Sequence, residues 1–295
     1  MGLEWTLLCT QRCMDPSLVL TTGQSFGWSP VGDDTWVGVI DSFVIELRKA
    51  GDNVEYRNIF GDCDVKRLRA YFDLDYSYTI DRSIAPDSVL RIVDRRVGVR
   101  ILQQDPLETL VSFICSANNN IKRITRMCYE IRSSYGTLLG SKDYNGTTLR
   151  FYSFPTLSQL SAADFTSLGL GFRAKYVARS ISFLRENGLE WLLNLRDIPY
   201  PEALEELVKL PGVGRKVADC ILLYSLGKRE CVPVDVHVNR IAKLHFGIRA
   251  SGSGSYDRIH EAFLEIAPRD AGWLQAVLFV DSVIQNSSQV TKVIH

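Results

Sequence analysis

The stretch that most restricts the fold runs from Leu207 to Gly247, LVKLPGVGRKVADCILLYSLGKRECVPVDVHVNRIAKLHFG. Leu204, Leu207, Val208 and Leu210 keep a helical apolar stripe, and Val217, Cys220, Ile221 and Tyr224 keep another. Between them, Pro211 stops the first helix, and Gly212 and Gly214 permit a tight turn with positive φ. Two helices joined this way restrict the segment to a hairpin of helices. The turn also feeds a helix N-terminus whose free N–H groups suit a phosphate. An ordinary αα-hairpin in a helical core accounts for the turn equally well.

Lys216 and Asp235 shift that balance. Lys216 lies two residues past the turn, in a run otherwise built for burial. A lysine in apolar surroundings loses stabilisation of its charged form, which leaves a free amine usable as a nucleophile. Asp235 follows Pro233 and precedes the periodic run Val236, Ile241 and Leu244, so it is expected to cap a helix. There the helix dipole favours its ionised form. An amine beside a fixed carboxylate suits attack on a carbon that becomes cationic, such as C1′ of a nucleoside. Taken singly, an exposed lysine and a routine cap would explain each residue.

LPGVGRKVA followed by VPVDVHV resembles the helix-hairpin-helix, Gly/Pro-Asp superfamily of DNA glycosylases. SFICSANNNIKRI at 112–124, GLGFRAKY at 169–176 and AGWLQAVLF at 271–279 resemble eukaryotic-type 8-oxoguanine DNA glycosylases specifically. The likeness extends from TTGQSFGW near residue 21 to Phe279. It implies a bifunctional glycosylase and lyase that excises 8-oxoguanine opposite cytosine from duplex DNA. Lys216 would be the nucleophile and Asp235 the stabiliser of the cationic transition state. Gly23, Cys220, Gln275 and Phe279 would bind the lesion base. Asn118, Arg123 and Arg173 would address the opposite base, with Phe172 as a wedge in the stack. Gly212, Val213, Gly214 and His237 would contact DNA. Core packing explains Phe279, Cys220 and Phe172 as well as function does, and a turn explains Gly23. Two of the three consecutive asparagines 118–120 are expected to be a plain helix stop and turn.

Two other functions fit parts of the pattern. A relative acting on another oxidised or alkylated base would keep Lys216 and Asp235 but change the lesion set. A non-catalytic helix-hairpin-helix DNA-binding module would need neither. Relatives that share the LPGVGRK turn and act on pyrimidine lesions carry a four-cysteine iron–sulfur cluster near the C-terminus, and no cysteine follows Cys231. The four histidines make no zinc pattern, so no cofactor and no catalytic metal are expected, although the Leu210–Gly214 hairpin could seat a structural cation.

Lys plus Arg and Asp plus Glu both number 34, which argues against a protein wrapped in nucleic acid. A local basic face remains available in Lys122, Arg123, Arg126 and Arg132. The seven cysteines are odd in number and mostly sit in apolar runs, so reduced thiols are expected. No stretch has the length and apolarity of a membrane span. A monomer in the nucleus, or in the mitochondrion, is the expected setting, on family likeness alone.

The fold class is expected to be α+β. Residues 1–104 should form a small antiparallel sheet with packed helices, because TWVGVIDSFVIELRKAGDNVEYRNIF alternates and Gly51-Asp52-Asn53 marks a hairpin. Residues 105–295 should form a large helical domain, with helices at 106–118, 122–135, 157–163, 173–187, 200–210, 215–227, 236–246 and 256–266. Residues 135–152, with their glycines, are expected to be a mobile connection, and Ser251-Gly252-Ser253-Gly254-Ser255 a flexible loop.

Overall fold

The computed structural model describes residues 4–248, 252 and 254–293. Its N-terminal part is built on β1 (Thr6–Thr10), helix α1 (Pro16–Val19), β2 (Trp28–Gly32), β3 (Thr35–Ile40), β4 (Phe43–Ala50) and β5 (Asn53–Phe60). The strands form one antiparallel sheet in the order β1-β5-β4-β3-β2. The β4–β5 turn falls at the expected Gly51-Asp52, with Ala50 paired to Asn53. Alternation divides the two faces as the pleat requires. Trp36, Ile40, Ile45 and Leu47 enter the main core, while Val37, Val39 and Val44 face the other way.

Helices α2 (Val65–Tyr71) and α3 (Asp87–Arg95) follow, the helices expected to pack with the sheet. The chain then runs through α4 (Pro106–Cys115) and α5 (Ile121–Tyr135). Here the structure corrects the sequence reading. Residues 135–152 hold a second sheet, the hairpin β6 (Leu138–Tyr144) and β7 (Thr147–Tyr152). Its turn is Asn145-Gly146, both at positive φ (52° and 83°), the pair that a two-residue hairpin turn demands. Phe151 packs on Val37, Val39 and Val44, so the hairpin covers the outer face of the large sheet.

Glu46 lies beneath that cover, fully buried, and accepts from Arg57 Nε at 2.5 Å, Lys142 Nζ at 2.5 Å and the Tyr144 hydroxyl. Burial alone would raise its pKa. The donors from Lys142, Tyr144 and Arg57 outweigh burial and hold it below the ordinary 4.5. A pKa depressed by folding gives stability that is complete above the unfolded value and is lost as pH falls through the folded one. Glu46→Ala should therefore lower stability by about 1–3 kcal/mol at pH 7, since it leaves the partly buried Arg57, Lys142 and Tyr144 without their shared acceptor. Thermal unfolding as a function of pH is the check. The gap between variant and parent should shrink below about pH 4.5; a pH-independent gap would mean that the effect is one of packing alone.

The helical part continues with α6 (Leu157–Ser161), α7 (Arg173–Asn187), α8 (Leu189–Asn194), α9 (Tyr200–Leu207), α10 (Arg215–Ser225), α11 (Val236–Phe246), α12 (Ser255–Ile266) and α13 (Ala271–Val293). Several end a few residues short of the periodic runs, because Ser116, Val208 and Leu226 already leave the helix. Sequence patterning did not predict α8 or α13. Helix α13 opens on a nearly continuous apolar run, LQAVLFVDSVI, whose lack of period does not separate helix from buried strand. Ser251 and Ser253 of the expected Ser251–Ser255 loop lie outside the described residues, Gly252 and Gly254 take positive φ, and Ser255 already opens α12.

Helices α4 and α10 pack together at the centre and are buried along most of their lengths, with Phe113 and Tyr224 stacked at 5.6 Å. One continuous core runs from Leu8 and Trp28 in the sheet part to Val280 on α13. This packing lets a turn at residues 22–24 reach the helical site.

Candidate active site

Two helices each present a pair of residues four apart, which the 3.6-residue period stacks on one face. On α10 the pair is Lys216 and Cys220; on α13 it is Gln275 and Phe279. Both pairs line one cavity of about 840 Å³, together with Gly23, Asn118, Asp235 and His237. Eight residues singled out from sequence thus meet in one place, drawn from five segments of the chain.

Lys216 is half-buried, with Nζ 5.4 Å from the Phe113 ring centre. Asp235 caps α11 as expected. Its Oδ1 accepts the N–H of His237 at 2.8 Å and of Val238 at 2.9 Å, leaving Oδ2 free of bonds among the described residues. Cys220 is buried, and burial pushes its thiol up to about 11 against the opposing charge of Lys216. It serves as an apolar wall. The His237 and Phe279 rings meet edge to face at 5.8 Å. Gln275 is only 4% exposed, and its Oε1 is buried without a partner among the described residues. An orphaned buried acceptor is expensive, and a donor entering the cavity would relieve it.

Gly23 takes φ +92°, a region open to glycine, and a side chain there would press on Ile121 at 3.3 Å. Its neighbour fixes the turn. Gln24 is buried, donates to the Arg100 carbonyl at 2.9 Å, accepts from Leu102 N–H at 3.1 Å, and its own carbonyl accepts from Gln104 at 2.7 Å. The sequence reading missed Gln24; its polarity amid TTGQSFGW was the available signal.

The asparagine triplet divides as its chemistry allows. Asn119 bonds back to the Cys115 carbonyl and Asn120 caps α5, accepting from Arg123 N–H at 3.0 Å. Asn118 stands at φ +48° on the cavity wall. Arg123 is exposed and lines an adjoining cavity of about 700 Å³ between α5 and the β6–β7 hairpin. Phe172 is 48% exposed rather than core, in edge contact with Tyr176 at 6.1 Å.

Arg173 is bonded within the chain. It is 2% exposed, and its guanidinium donates to the Ala117 carbonyl (Nε, 2.8 Å), the Asn118 carbonyl (Nη2, 2.8 Å) and the Leu170 carbonyl (Nη1, 3.4 Å). Burial first and the nearby Arg123 second lower its pKa. Its donors hold the Asn118 backbone here. They are not presented to solvent, because carbonyls of the turn after α4 and of Leu170 claim them.

In the hairpin, Val213 is buried and Gly212 takes φ +83° against Tyr176, where a Cβ would approach to 2.6 Å. Gly214 is exposed, and α10 begins there with no side-chain cap. The first N–H groups of α10 therefore open beside Lys216, the arrangement that suits a phosphate. Among the described residues no cluster of His, Cys, Asp or Glu is arranged to hold a metal ion, and no helix is long and apolar enough to cross a membrane.

A helical hairpin with a lysine just past its turn and an aspartate capping the next helix defines a class. Residues 111–269 match the model of the HhH-GPD superfamily of base excision DNA repair proteins, and residues 6–110 match that of the 8-oxoguanine DNA glycosylase N-terminal domain. Among curated relatives, N-glycosylase/DNA lyase OGG1 of Arabidopsis thaliana is 36% identical, over 89% of this chain and 76% of its own length. An N-glycosylase/DNA lyase of Saccharomyces cerevisiae is 33% identical, over 92% and 84%. The structure of the Clostridium acetobutylicum 8-oxoguanine glycosylase/lyase, in complex with double-stranded DNA containing cytosine opposite 8-oxoG, superposes with a TM-score of 0.78 at 30% identity, covering 93% of each chain. The chain belongs to the 8-oxoguanine DNA glycosylase family.

Proposed function

We propose that this chain excises 8-oxoguanine paired with cytosine from duplex DNA and then cleaves the strand, as a bifunctional glycosylase and lyase. The observation that carries this reading is the shared cavity of Lys216 and Asp235 with the Gln275–Phe279 and Gly23 walls. A base buried in a duplex cannot be reached, so the damaged nucleotide is flipped into the cavity. Its ring lies between Phe279 and Cys220, and its Watson–Crick edge meets Gln275, whose buried Oε1 has no partner among the described residues. The Gly23 carbonyl accepts the N7–H that 8-oxoguanine has and guanine lacks. One acceptor thus separates lesion from normal base, since guanine would bring an acceptor against an acceptor.

The Lys216 amine then attacks C1′. The C1′–N9 bond breaks as the N–C1′ bond forms, and the base leaves with the electron pair. The Asp235 carboxylate stabilises positive charge at the sugar. Opening of the sugar ring gives the Schiff base, and loss of a C2′ proton expels the 3′-phosphate by β-elimination. In this scheme residues 1–104 supply Gly23 to a helical domain of residues 105–295 that holds the rest. The first turn of α10 and Gly212–Gly214 hold a phosphate, and His237 contacts DNA. The protein works as a monomer on genomic DNA in the nucleus.

Borohydride reduction of the protein with a panel of damaged duplexes tests the reading. Trapping on 8-oxoguanine duplexes supports it. Trapping only on another lesion assigns a different base, and binding without trapping leaves a DNA-binding module.

A second expectation concerns the opposite strand. Cytosine offers acceptors at O2 and N3 and a donor at N4, which Arg123 and the Asn118 amide oxygen complement. Adenine presents a different edge and leaves those groups unpaired, at about 1–3 kcal/mol for each well-placed hydrogen-bonded pair that cannot form. Excision should be much faster opposite cytosine than opposite adenine. Arg123→Ala should erode that preference more than it weakens binding to undamaged duplex. Single-turnover rates opposite all four bases decide it; equal rates opposite cytosine and adenine in the unmodified protein would remove the assignment.

A further inference from the structure

Asp219 follows Lys216 by one turn of α10 and is fully buried. A carboxylate removed from water is costly unless donors surround it. Burial pushes this one up to about 6, with the Tyr256 and Tyr200 hydroxyls pulling the other way. Its two oxygens are shared out between them. Oδ1 accepts from the Tyr200 hydroxyl at 2.9 Å and Oδ2 from the Tyr256 hydroxyl. None of the three lines the cavity, and the chemistry above uses none of them.

Tyr256 makes one more bond. Its oxygen accepts the Val234 N–H at 3.1 Å, in the residue directly before Asp235. A phenol has a single proton; the carboxylate, nearer than the Val232 carbonyl at 3.2 Å, takes it. The outcome is an unbroken run of buried bonds from α10, through α12, to the loop that enters α11. It ties the helix bearing Lys216 to the neighbour of Asp235. The Arg215 guanidinium lies 4.1 Å from the centre of the Tyr256 ring and is itself held by Asp257, so the ring is braced from outside.

We propose that Tyr256 is a positioning residue for base excision, holding Asp235 in register with Lys216 through the Val234 amide while Asp219 orients its hydroxyl. This rests on the roles assigned above to Lys216 and Asp235. The two come from different helices, and only a connection between those helices can fix their separation. Rates are sensitive to such registers, since misplacement by about 1 Å can cost 10²-fold.

Tyr200 supplies the control. Tyr256→Phe and Tyr200→Phe each remove one donor from the same buried carboxylate, but only the first also releases Val234. Both variants are compared with the unmodified protein for thermal melting, affinity for 8-oxoguanine:cytosine duplex, and single-turnover excision with enzyme in excess, well below either melting transition. Both should melt lower, Tyr256→Phe the more because it also strips the buried Val234 N–H of its acceptor, and both should bind within about 2-fold of the parent. Excision by Tyr256→Phe should fall about 10-fold or more, while Tyr200→Phe stays within about 3-fold. A Tyr256→Phe rate equal to the parent's, or an equally large drop in Tyr200→Phe, overturns the proposal.

Should Tyr256→Phe fail to fold, hydrogen exchange in the unmodified protein decides. The Val234 amide should exchange as slowly as the most protected amides of α10, and exchange at the rate of exposed backbone overturns the clamp. If the unmodified protein does not excise 8-oxoguanine at all, the assigned reaction fails, and the exchange result still judges the clamp by itself.

Discussion

Lys216→Gln is expected to abolish borohydride trapping on 8-oxoguanine duplexes and to lower excision by about 10³-fold or more, the scale on which removal of a nucleophile is felt. Glutamine keeps much of the side chain's length and polarity, so the cavity walls at Cys220, Gln275 and Phe279 should stay in place. Binding of lesion duplex should therefore survive within a few-fold. Lys122 also lines the cavity, on the exposed first turn of α5, and offers the competing amine. Lys122→Gln should leave trapping near the parent level. The two lysines differ in setting: Lys216 lies half-buried against Phe113, whereas Lys122 is open to water. Trapping that persists in Lys216→Gln and disappears in Lys122→Gln would reverse the assignment.

Most of the proposed catalytic arrangement was legible because it is local. The turn glycines, the lysine two residues beyond and the aspartate before an apolar helix are short-range patterns, and the structure keeps Asp235 as the cap they imply. The cavity walls were not legible from pattern. Cys220 and Phe279 have the periodicity of core residues, and only the packing of α10 and α13 against their neighbouring helices turns their faces to a cavity. Residues 135–152 were misread because glycine was weighed as mobility. Asn145-Gly146 between two alternating segments is a hairpin signal, and Gly140 is dictated by its close approach to Phe60. Arg173 shows another limit. An arginine beside an exposed aromatic suggests a nucleic-acid contact, yet nothing local announces that the end of α4 leaves carbonyls for it to satisfy. Asp219 was invisible for a similar reason, since its partners lie 19 and 37 residues away.

Asp235→Asn should slow excision by about 10²-fold or more while the melting temperature barely moves. The geometry of the cap makes the two effects separable. Oδ1 alone accepts both the His237 and Val238 N–H groups, and asparagine retains one carbonyl oxygen for that position. Asparagine is as good an N-cap as aspartate, so the cap should survive with little change in stability. What changes is Oδ2, which carries no bond among the described residues and would be replaced by an uncharged NH₂. If the carboxylate stabilises positive charge at C1′, removing it deletes an electrostatic contribution of the size that costs two orders of magnitude or more. Single-turnover excision at saturating enzyme isolates that step from binding, which should stay within a few-fold because an amide still fills the wall. A structural role predicts the opposite pair of results, a large drop in melting temperature with normal turnover by the folded fraction. Asp235→Ala serves as the third point. It removes cap and charge together, so it should match the asparagine variant in rate but be less stable by about 1 kcal/mol. An alanine variant much slower than the asparagine variant would mean that holding the end of α11, rather than the charge, is what the reaction requires.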